Sequence, residues 1–152
     1  MPIYMKYEGI DGNVKQEGYK NWIELYSFGP AELERGMRSG QSGTKMPGPT
    51  TLLAIKATDR SSNKLMQESL SGVGGKNVTV IFLSSDGKPY LRMDLEGVMI
   101  VRYQFSQGRS GPDTDSFELS FAKIGYFYLG TSDNPKHTMK TFKLVESIRR
   151  YA

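Results

Sequence analysis

The chain of 152 residues contains no cysteine and a single histidine. The absence of cysteine excludes disulfide bonds and thiolate metal sites, and one histidine alone cannot supply the ligands of a zinc site. No apolar stretch approaches the roughly 20 residues that span a bilayer as a helix. The first residues also lack the charged and apolar regions of a secretory signal peptide. We therefore expect no membrane insertion, and we expect any export to use a route that reads no N-terminal signal.

Residues that carry catalytic chemistry are few and scattered. His137 follows an Asn-Pro pair and has no nucleophile near it in sequence. The segment GVGGK at residues 72–76 has the wrong spacing for a phosphate-binding loop, and it precedes a predicted strand where such a loop opens a helix. Asp94 and Glu96 share a strand face and are candidates for acid–base work, but two arginines on that face favour ion pairing instead. The sequence thus predicts no enzyme, no cofactor and no metal site.

The formal charge of +4 is concentrated near the C-terminus. Residues 131–152 carry five basic and two acidic side chains, which gives this segment a net charge of +3. Such segments are typical of nucleic-acid or membrane-surface contacts. Aromatic residues do not interleave with these charges as a base-stacking surface requires. A solvated basic face explains the pattern better, and we expect no nucleic-acid partner.

Alternation with period two dominates the middle of the chain. From residue 93 to residue 105 the odd positions are apolar or glycine, and most even positions are charged or polar. This pattern predicts a long strand with its odd face buried. Val98 and Ile100 make the even face apolar as well. We therefore predict that a packed helix or a neighbouring subunit covers these two side chains.

A second long strand is predicted to bend. Its odd positions are apolar from Phe117 to Phe121, and its even positions are apolar from Ile124 onward. Because a slip by one residue moves the buried set to the other face, this change of phase predicts a β-bulge near residues 122–123. Bulges bend strands, and bent strands can close a barrel.

Shorter patterns predict the remaining elements. After the two serines at 61–62, either of which can cap the first turn, helical spacing predicts one helix that ends at Gly72. The run at residues 78–83 is apolar on both faces and leads to an Asp-Gly pair typical of a hairpin turn. Further strands are predicted at residues 3–8, 22–28 and 52–57.

One long connection is rich in glycine and proline. Residues 29–50 contain five glycines and three prolines. A connection of this length is uncommon in a compact domain unless it is functional or disordered. The many strand edges must also be protected from aggregation, by barrel closure or by pairing with a neighbour. Repeated head-to-tail pairing of identical chains produces a ring or a tube.

Four blocks of sequence occur in an order that resembles one known family. They are WIELYSF at residues 22–28, IKATDRSSNKL at 55–65, EGVMIV at 96–101 and FELSFAKI at 117–124. Together they resemble Hcp, the haemolysin-coregulated tube protein family of type VI secretion systems. The chain departs from the family pattern at Gly29-Pro30, where a second aromatic residue and glycine are usual. It also has Asn63 in place of a proline.

The resemblance implies a mostly β fold with a single domain over residues 1–152. The expected architecture is a two-sheet β-barrel with one flanking α-helix, similar to phage tail tube proteins, and with an extended loop at about residues 29–50. Six copies are expected to form a ring, and stacked rings a hollow tube. A contractile sheath would enclose the tube, a spike protein would tip it, and effector proteins would travel in its lumen. The protein would be made in the bacterial cytoplasm and secreted.

The resemblance also implies roles for particular residues. The protruding loop is expected to contact the next ring, with Arg35, Arg38 and Lys45 as candidate contacts. Val98 and Ile100 become candidates for the interface between subunits.

The C-terminal segment and the function each retain an alternative. The spacing of apolar residues from 139 to 148 fits a helix, whereas the resemblance favours a strand with Phe142 and Leu144 facing inward. For the function, a monomeric β-barrel binding module and a tail tube protein of a related contractile injection system stay open.

Overall fold

Eight strands and one helix are present in the part of the chain that the computed structural model describes, residues 1–30, 51–107 and 111–129. The helix α1 (Ser62–Ser71) follows the fourth strand. The strands are β1 (Ile3–Tyr7), β2 (Ile23–Leu25), β3 (Ser27–Pro30), β4 (Leu52–Ala57), β5 (Lys76–Leu83), β6 (Pro89–Ser106), β7 (Thr114–Ser120) and β8 (Lys123–Tyr128). The predicted elements are therefore found, except that the strand predicted at residues 22–28 is divided in two at Tyr26.

The strands form two antiparallel sheets that share β6. Their path runs β2-β1-β5-β6-β7-β4-β3, and β8 pairs with the first half of β6. The two ends of this path, β2 and β3, are separated only by Tyr26, whose N–H donates to the carbonyl of Ile55 over 2.6 Å. The chain therefore passes directly from one end of this path to the other. The predicted mostly β fold, a two-sheet β-barrel with one flanking helix, is confirmed.

Strand β6 passes from one sheet to the other at Gly97. Before this residue Leu95 is buried, and after it Val98 and Ile100 are buried, so the inward face changes from odd to even positions. Gly97 has a φ of +66°, and a Cβ at this position would lie 2.6 Å from the Cβ of Ala122. Only glycine combines this backbone conformation with so close an approach. The prediction of one odd buried face is therefore correct before Gly97 and wrong at Val98 and Ile100. A register shift between Ile100 and Arg102 then restores the odd phase, so that Tyr103 packs against the core.

The partner strands β7 and β8 change their inward face at the same level. As predicted, the inward positions are odd in β7 and even at the start of β8. No residue is inserted, because Glu96 pairs with Lys123 and Met99 pairs with Ser120 in one continuous register. The predicted bulge near residues 122–123 is therefore wrong. Between these two pairs, Gly97 and Val98 of β6 lie opposite residues 121 and 122, so the pairing is interrupted by two residues on each side.

Strand β5 is buried on both faces, as its sequence predicts. Val78 and Val80 lie in the main core inside the barrel. Ile81 and Leu83 belong to a second apolar cluster on the opposite face. The side chains that complete this second cluster are Tyr4, Val14, Tyr19 and Trp22. The segment of residues 11–22 thus covers the outer face of this sheet.

Helix α1 agrees with the prediction except in its capping. It ends at Gly72, which has the left-handed φ of +69° common at helix C-termini. Ser61 is the N-cap, but its side chain makes no capping hydrogen bond. Its hydroxyl donates instead to Asp59 Oδ1 over 2.5 Å. Leu65 is the buried residue of the helix, whereas Leu70 is 80% exposed.

Several predictions fall outside the described residues. The side chains concerned are Arg35, Arg38, Lys45, His137, Phe142 and Leu144. The first two residues of the predicted long loop, Gly29 and Pro30, belong to β3 instead and pair with β4. No helix within the described ranges is long and apolar enough to cross a membrane.

Candidate functional site

The two predicted interface residues of β6 lie inside the chain's own core. Val98 is 0% exposed and Ile100 is 2% exposed. Both belong to the same core cluster as Leu65 of α1, which packs against β6. Side chains that are already buried offer no surface to a neighbouring subunit. Burial within the single chain favours a packed helix over a subunit interface as the explanation for their position on an otherwise polar face, and the interface role of the two residues stays a prediction.

The apolar surface of β6 lies nearer its C-terminal end. Val101 is 49% exposed and Phe105 is 59% exposed. From Met99 to Ser106, β7 is the only described strand that pairs with β6, and the pairing with β5 stops at Val98. This end of β6 therefore combines large apolar side chains with a strand edge that no described strand occupies.

Of the two carboxylates considered for acid–base chemistry, Asp94 makes an ion pair at the surface. Arg92 Nε lies 3.0 Å from Asp94 Oδ1, with both side chains well exposed. Arg102 pairs with Glu118 of β7 rather than with the pair itself. Within the described ranges, no group of three or more histidine, aspartate or glutamate side chains is placed to hold a metal ion.

A buried polar cluster, absent from the sequence-based predictions, lies where the chain passes from β4 into α1. Lys56, near the end of β4, is 0% exposed. Its ammonium donates to the carbonyl of Ala57 at 3.0 Å, to Asp59 Oδ1 at 2.9 Å and to Ser62 Oγ at 3.0 Å. Three donors therefore meet three acceptors. The residues that we call the Lys56 cluster are Lys56, Thr58, Asp59, Ser62, Tyr103 and Asp115.

Asp115 of β7 supplies the second buried charge of the cluster. Its Oδ2 lies 3.2 Å from Lys56 Nζ and accepts hydrogen bonds from Ser62 Oγ at 2.5 Å and Tyr103 OH at 2.6 Å. Its Oδ1 accepts from Thr58 Oγ1 at 2.9 Å. Burial opposes ionisation of Asp115, but these hydrogen bonds and the charge of Lys56 outweigh it and lower its pKa. Burial first, and then the bond to Asp115, raise the pKa of Tyr103.

The contact between Ser62 and Lys56 places a hydroxyl beside an amine, as in serine–lysine hydrolases. A nucleophilic serine needs a base that takes its proton and a site open to substrate. Here Ser62 Oγ donates to Asp115, and Lys56 is buried with all of its donors engaged. The cluster therefore joins α1 to β4, β6 and β7, which is a structural role.

The alternation of apolar and polar residues in β4 and β7 contains the sequence signal for the Lys56 cluster. In β4 the inward positions are Leu52, Ala54 and Lys56. In β7 Asp115 is in phase with Phe117 and Leu119. One strand thus has a basic residue among its buried positions, and the other has an acidic residue among its own. This pattern indicates a buried ion pair, because an isolated buried charge is too costly.

The class of protein follows from this architecture: an antiparallel β-barrel in which one long strand serves both sheets and one helix is fixed at the side. Residues 4–128 match the family described as type VI secretion system effector, Hcp. The chain belongs to the Hcp family, whose members are tube proteins of the type VI secretion system. The resemblance inferred from the four sequence blocks is thereby confirmed. A comparison with curated proteins finds no match.

Solved structures of similar fold include several Hcp proteins. A type VI secretion system effector from Yersinia pestis has a TM-score of 0.74 and 17% identity, over 93% of this chain and 99% of that one. Hcp1 from Salmonella typhimurium has a TM-score of 0.71 and 23% identity, over 84% of this chain and 86% of that one. Hcp1 from E. coli EAEC 042 has a TM-score of 0.69 and 22% identity, over 89% and 94%. These structural similarities show that the chain shares the fold of these proteins.

Proposed function

We propose that this chain is the subunit of the inner tube of a type VI secretion system. Six copies close into a ring, the rings stack, and the tube is expelled with effector proteins in its lumen. The observation that carries the proposal is the family match over residues 4–128 on a β-barrel of the same fold. The Lys56 cluster has a structural role in holding the barrel together, and this fits a tube subunit better than an enzyme.

Ring closure requires two different surfaces on each subunit, because head-to-tail contacts join unlike patches. The exposed end of β6, with Val101 and Phe105, is our candidate for one of them in place of Val98 and Ile100. Large apolar side chains beside an unoccupied strand edge favour a protein contact. Burying them in the ring would also protect that edge from aggregation.

The oligomeric state tests the proposal directly. Size-exclusion chromatography with light scattering is expected to give six copies of the 17.0 kDa chain, about 102 kDa, and negative-stain imaging is expected to show rings. A protein that stays strictly monomeric at high concentration would contradict the proposal and favour the monomeric binding module.

Paired variants test the surface on β6. The double variant Val101→Ser and Phe105→Ser is expected to shift the population from rings to monomers. The matched control is Leu70→Ser and Val73→Ser, which removes two other exposed apolar side chains at the end of α1. If both double variants form rings equally well, the end of β6 is not the interface.

The contact between rings is assigned to the long loop by the resemblance, with Arg35, Arg38 and Lys45 as candidates. Deletion of residues 31–46 is expected to leave single rings intact and abolish their stacking. Replacement of the three basic residues by glutamine is expected to weaken stacking in a salt-dependent manner. Unchanged stacking of the deletion variant would show that the loop assignment is wrong.

The proposed partners are further copies of the chain, the spike protein, the contractile sheath and the effectors. We propose that the protein is made in the bacterial cytoplasm and leaves the cell without a signal peptide. In the source bacterium, the chain is expected in the culture medium when the sheath is functional and only inside the cell when the sheath gene is deleted. Its release without a sheath would contradict this route, and so would a dependence on the general secretory pathway.

A further inference from the structure

Helix α1 is attached unevenly along its length. At its first turn, Ser62 Oγ donates to Asp115 Oδ2 at 2.5 Å and accepts from Lys56 Nζ at 3.0 Å. One turn later, Leu65 is fully buried in the main core. Towards the C-terminus, Leu70 is 80% exposed and Ser71 is also exposed. The attachment of α1 is therefore concentrated at its N-terminal end.

A polar cleft separates the middle of α1 from the turn after β1. Its volume is about 400 Å³, and Glu8, Ile10, Lys64, Gln67, Glu68 and Lys76 contribute to its lining. Glu68 Oε2 and the hydroxyl of Tyr7 are both buried, and neither has a hydrogen-bond partner among the described residues. Unpaired buried polar atoms disfavour the packed arrangement that buries them. The contact along this side of α1 is thus weak.

The helix also has little stability of its own. It has ten residues, no side-chain hydrogen bond at its N-cap, no acidic residue in its first turn and no basic residue in its last turn. Isolated helices of this length are marginal in water, and these are the features that would otherwise stabilise its ends. The stability of α1 therefore depends on its attachment to the barrel.

We propose that α1 is a cover that opens as a unit while the barrel stays folded, and that the contacts of Ser62 with Lys56 and Asp115 form its latch. Opening removes Leu65 from the core cluster that also contains Val98 and Ile100. Opening therefore exposes to solvent the part of this cluster that Leu65 covers. The proposal concerns the motion of a single chain, so it goes beyond the tube function and does not depend on it.

Hydrogen–deuterium exchange of the full chain, followed by mass spectrometry, tests the separate opening. Peptides covering residues 65–72 are expected to exchange at least about tenfold faster than peptides covering 78–83 of β5, because local opening precedes global unfolding. Equal exchange rates in the two segments would overturn the proposal, since α1 would then open only when the barrel unfolds.

Two serine variants of the same helix test the latch. Ser62→Ala removes the link to Lys56 and Asp115, whereas Ser69→Ala changes a partly exposed serine whose hydroxyl makes no hydrogen bond among the described residues. Ser62→Ala is expected to accelerate exchange in α1 by a further factor of about ten. The exchange rate of β5 is expected to change by no more than about twofold. Equal effects of the two variants, or equal acceleration of α1 and β5 by Ser62→Ala, would show that Ser62 is not a latch.

Discussion

Lys56 and Asp115 are direct cross-strand neighbours in β4 and β7, and their charged atoms lie 3.2 Å apart with side chains 0% and 2% exposed. Two charges removed from water are tolerated only when their attraction and additional hydrogen bonds offset the loss of hydration. The Lys56 cluster supplies those bonds from Thr58, Ser62 and Tyr103. The buried pair is therefore supported by hydrogen bonds from three neighbouring side chains.

Replacing Lys56 with methionine is expected to lower the free energy of unfolding by about 3–5 kcal/mol, because the carboxylate of Asp115 then remains buried without its counter-charge. Urea denaturation followed by circular dichroism measures the change. The matched control is Lys6→Met, which alters an exposed lysine of β1 and is expected to cost no more than about 0.5 kcal/mol. Similar losses in the two variants would contradict the structural importance of the buried pair.

The stability of the chain is expected to fall in acid because of Asp115. Its folded-state pKa lies below the unfolded value of 3.8, so its contribution is present above that value and is lost as the pH falls through the folded pKa. Urea midpoints of the unmodified chain and of Asp115→Asn are to be compared from pH 7 down to pH 2. The difference in stability between them is expected to be constant above about pH 5 and to shrink below about pH 4. A difference that does not change with pH would show that Asp115 is not the titrating group.

Local sequence patterns predict much of the barrel because they depend on neighbouring residues. Period-two alternation locates the strands, and Gly72 locates the end of the helix. The Asp86-Gly87 pair forms the predicted hairpin turn, with Gly87 at a φ of +86°. Each of these signals acts within a few residues, so no knowledge of the tertiary contacts is needed to interpret it.

The features that local patterns do not predict depend on contacts between distant segments. The reversal of the inward face at Gly97 is set by its contact with Ala122 on the neighbouring strand. The burial of Val98 and Ile100 depends on a core cluster that brings together side chains from distant segments, among them Leu65 of α1. The Lys56 cluster exists because β4 and β7 are adjacent, and the alternation within either strand does not reveal which strand is its neighbour.

Gly97→Ala is expected to destabilise the chain by about 2–4 kcal/mol, since it combines backbone strain at a positive φ with an overlap at Ala122. Thermal and urea unfolding measure the loss. The control is Gly29→Ala in β3, where an added Cβ meets nothing within 4 Å and φ is not in the left-handed region. The control is expected to change stability by less than about 0.5 kcal/mol. If the two variants unfold alike, Gly97 is not the constraint that turns β6 between the sheets.

Arg60 holds the segment of residues 11–22 against the barrel. Its Nε donates to the carbonyl of Gly12 at 2.8 Å, and a terminal guanidinium nitrogen donates to Asn21 Oδ1 at 2.9 Å. Arg60→Met keeps most of the side-chain length and removes both bonds. Trypsin cleavage after Lys15 and Lys20 is then expected to accelerate about tenfold, because hydrogen bonds to a charged group contribute roughly 1.5–3 kcal/mol.

Mass spectrometry of the timed digests identifies the cut sites, and Arg92→Met is the matched control because its ion pair with Asp94 is exposed and lies on another strand. This control is expected to leave cleavage at Lys15 and Lys20 unchanged. The apolar cluster beneath the segment, with Trp22 and Val14, is expected to keep the barrel itself folded in both variants. Unaltered cleavage in Arg60→Met would mean that this apolar cluster alone holds the segment and that Arg60 contributes nothing measurable.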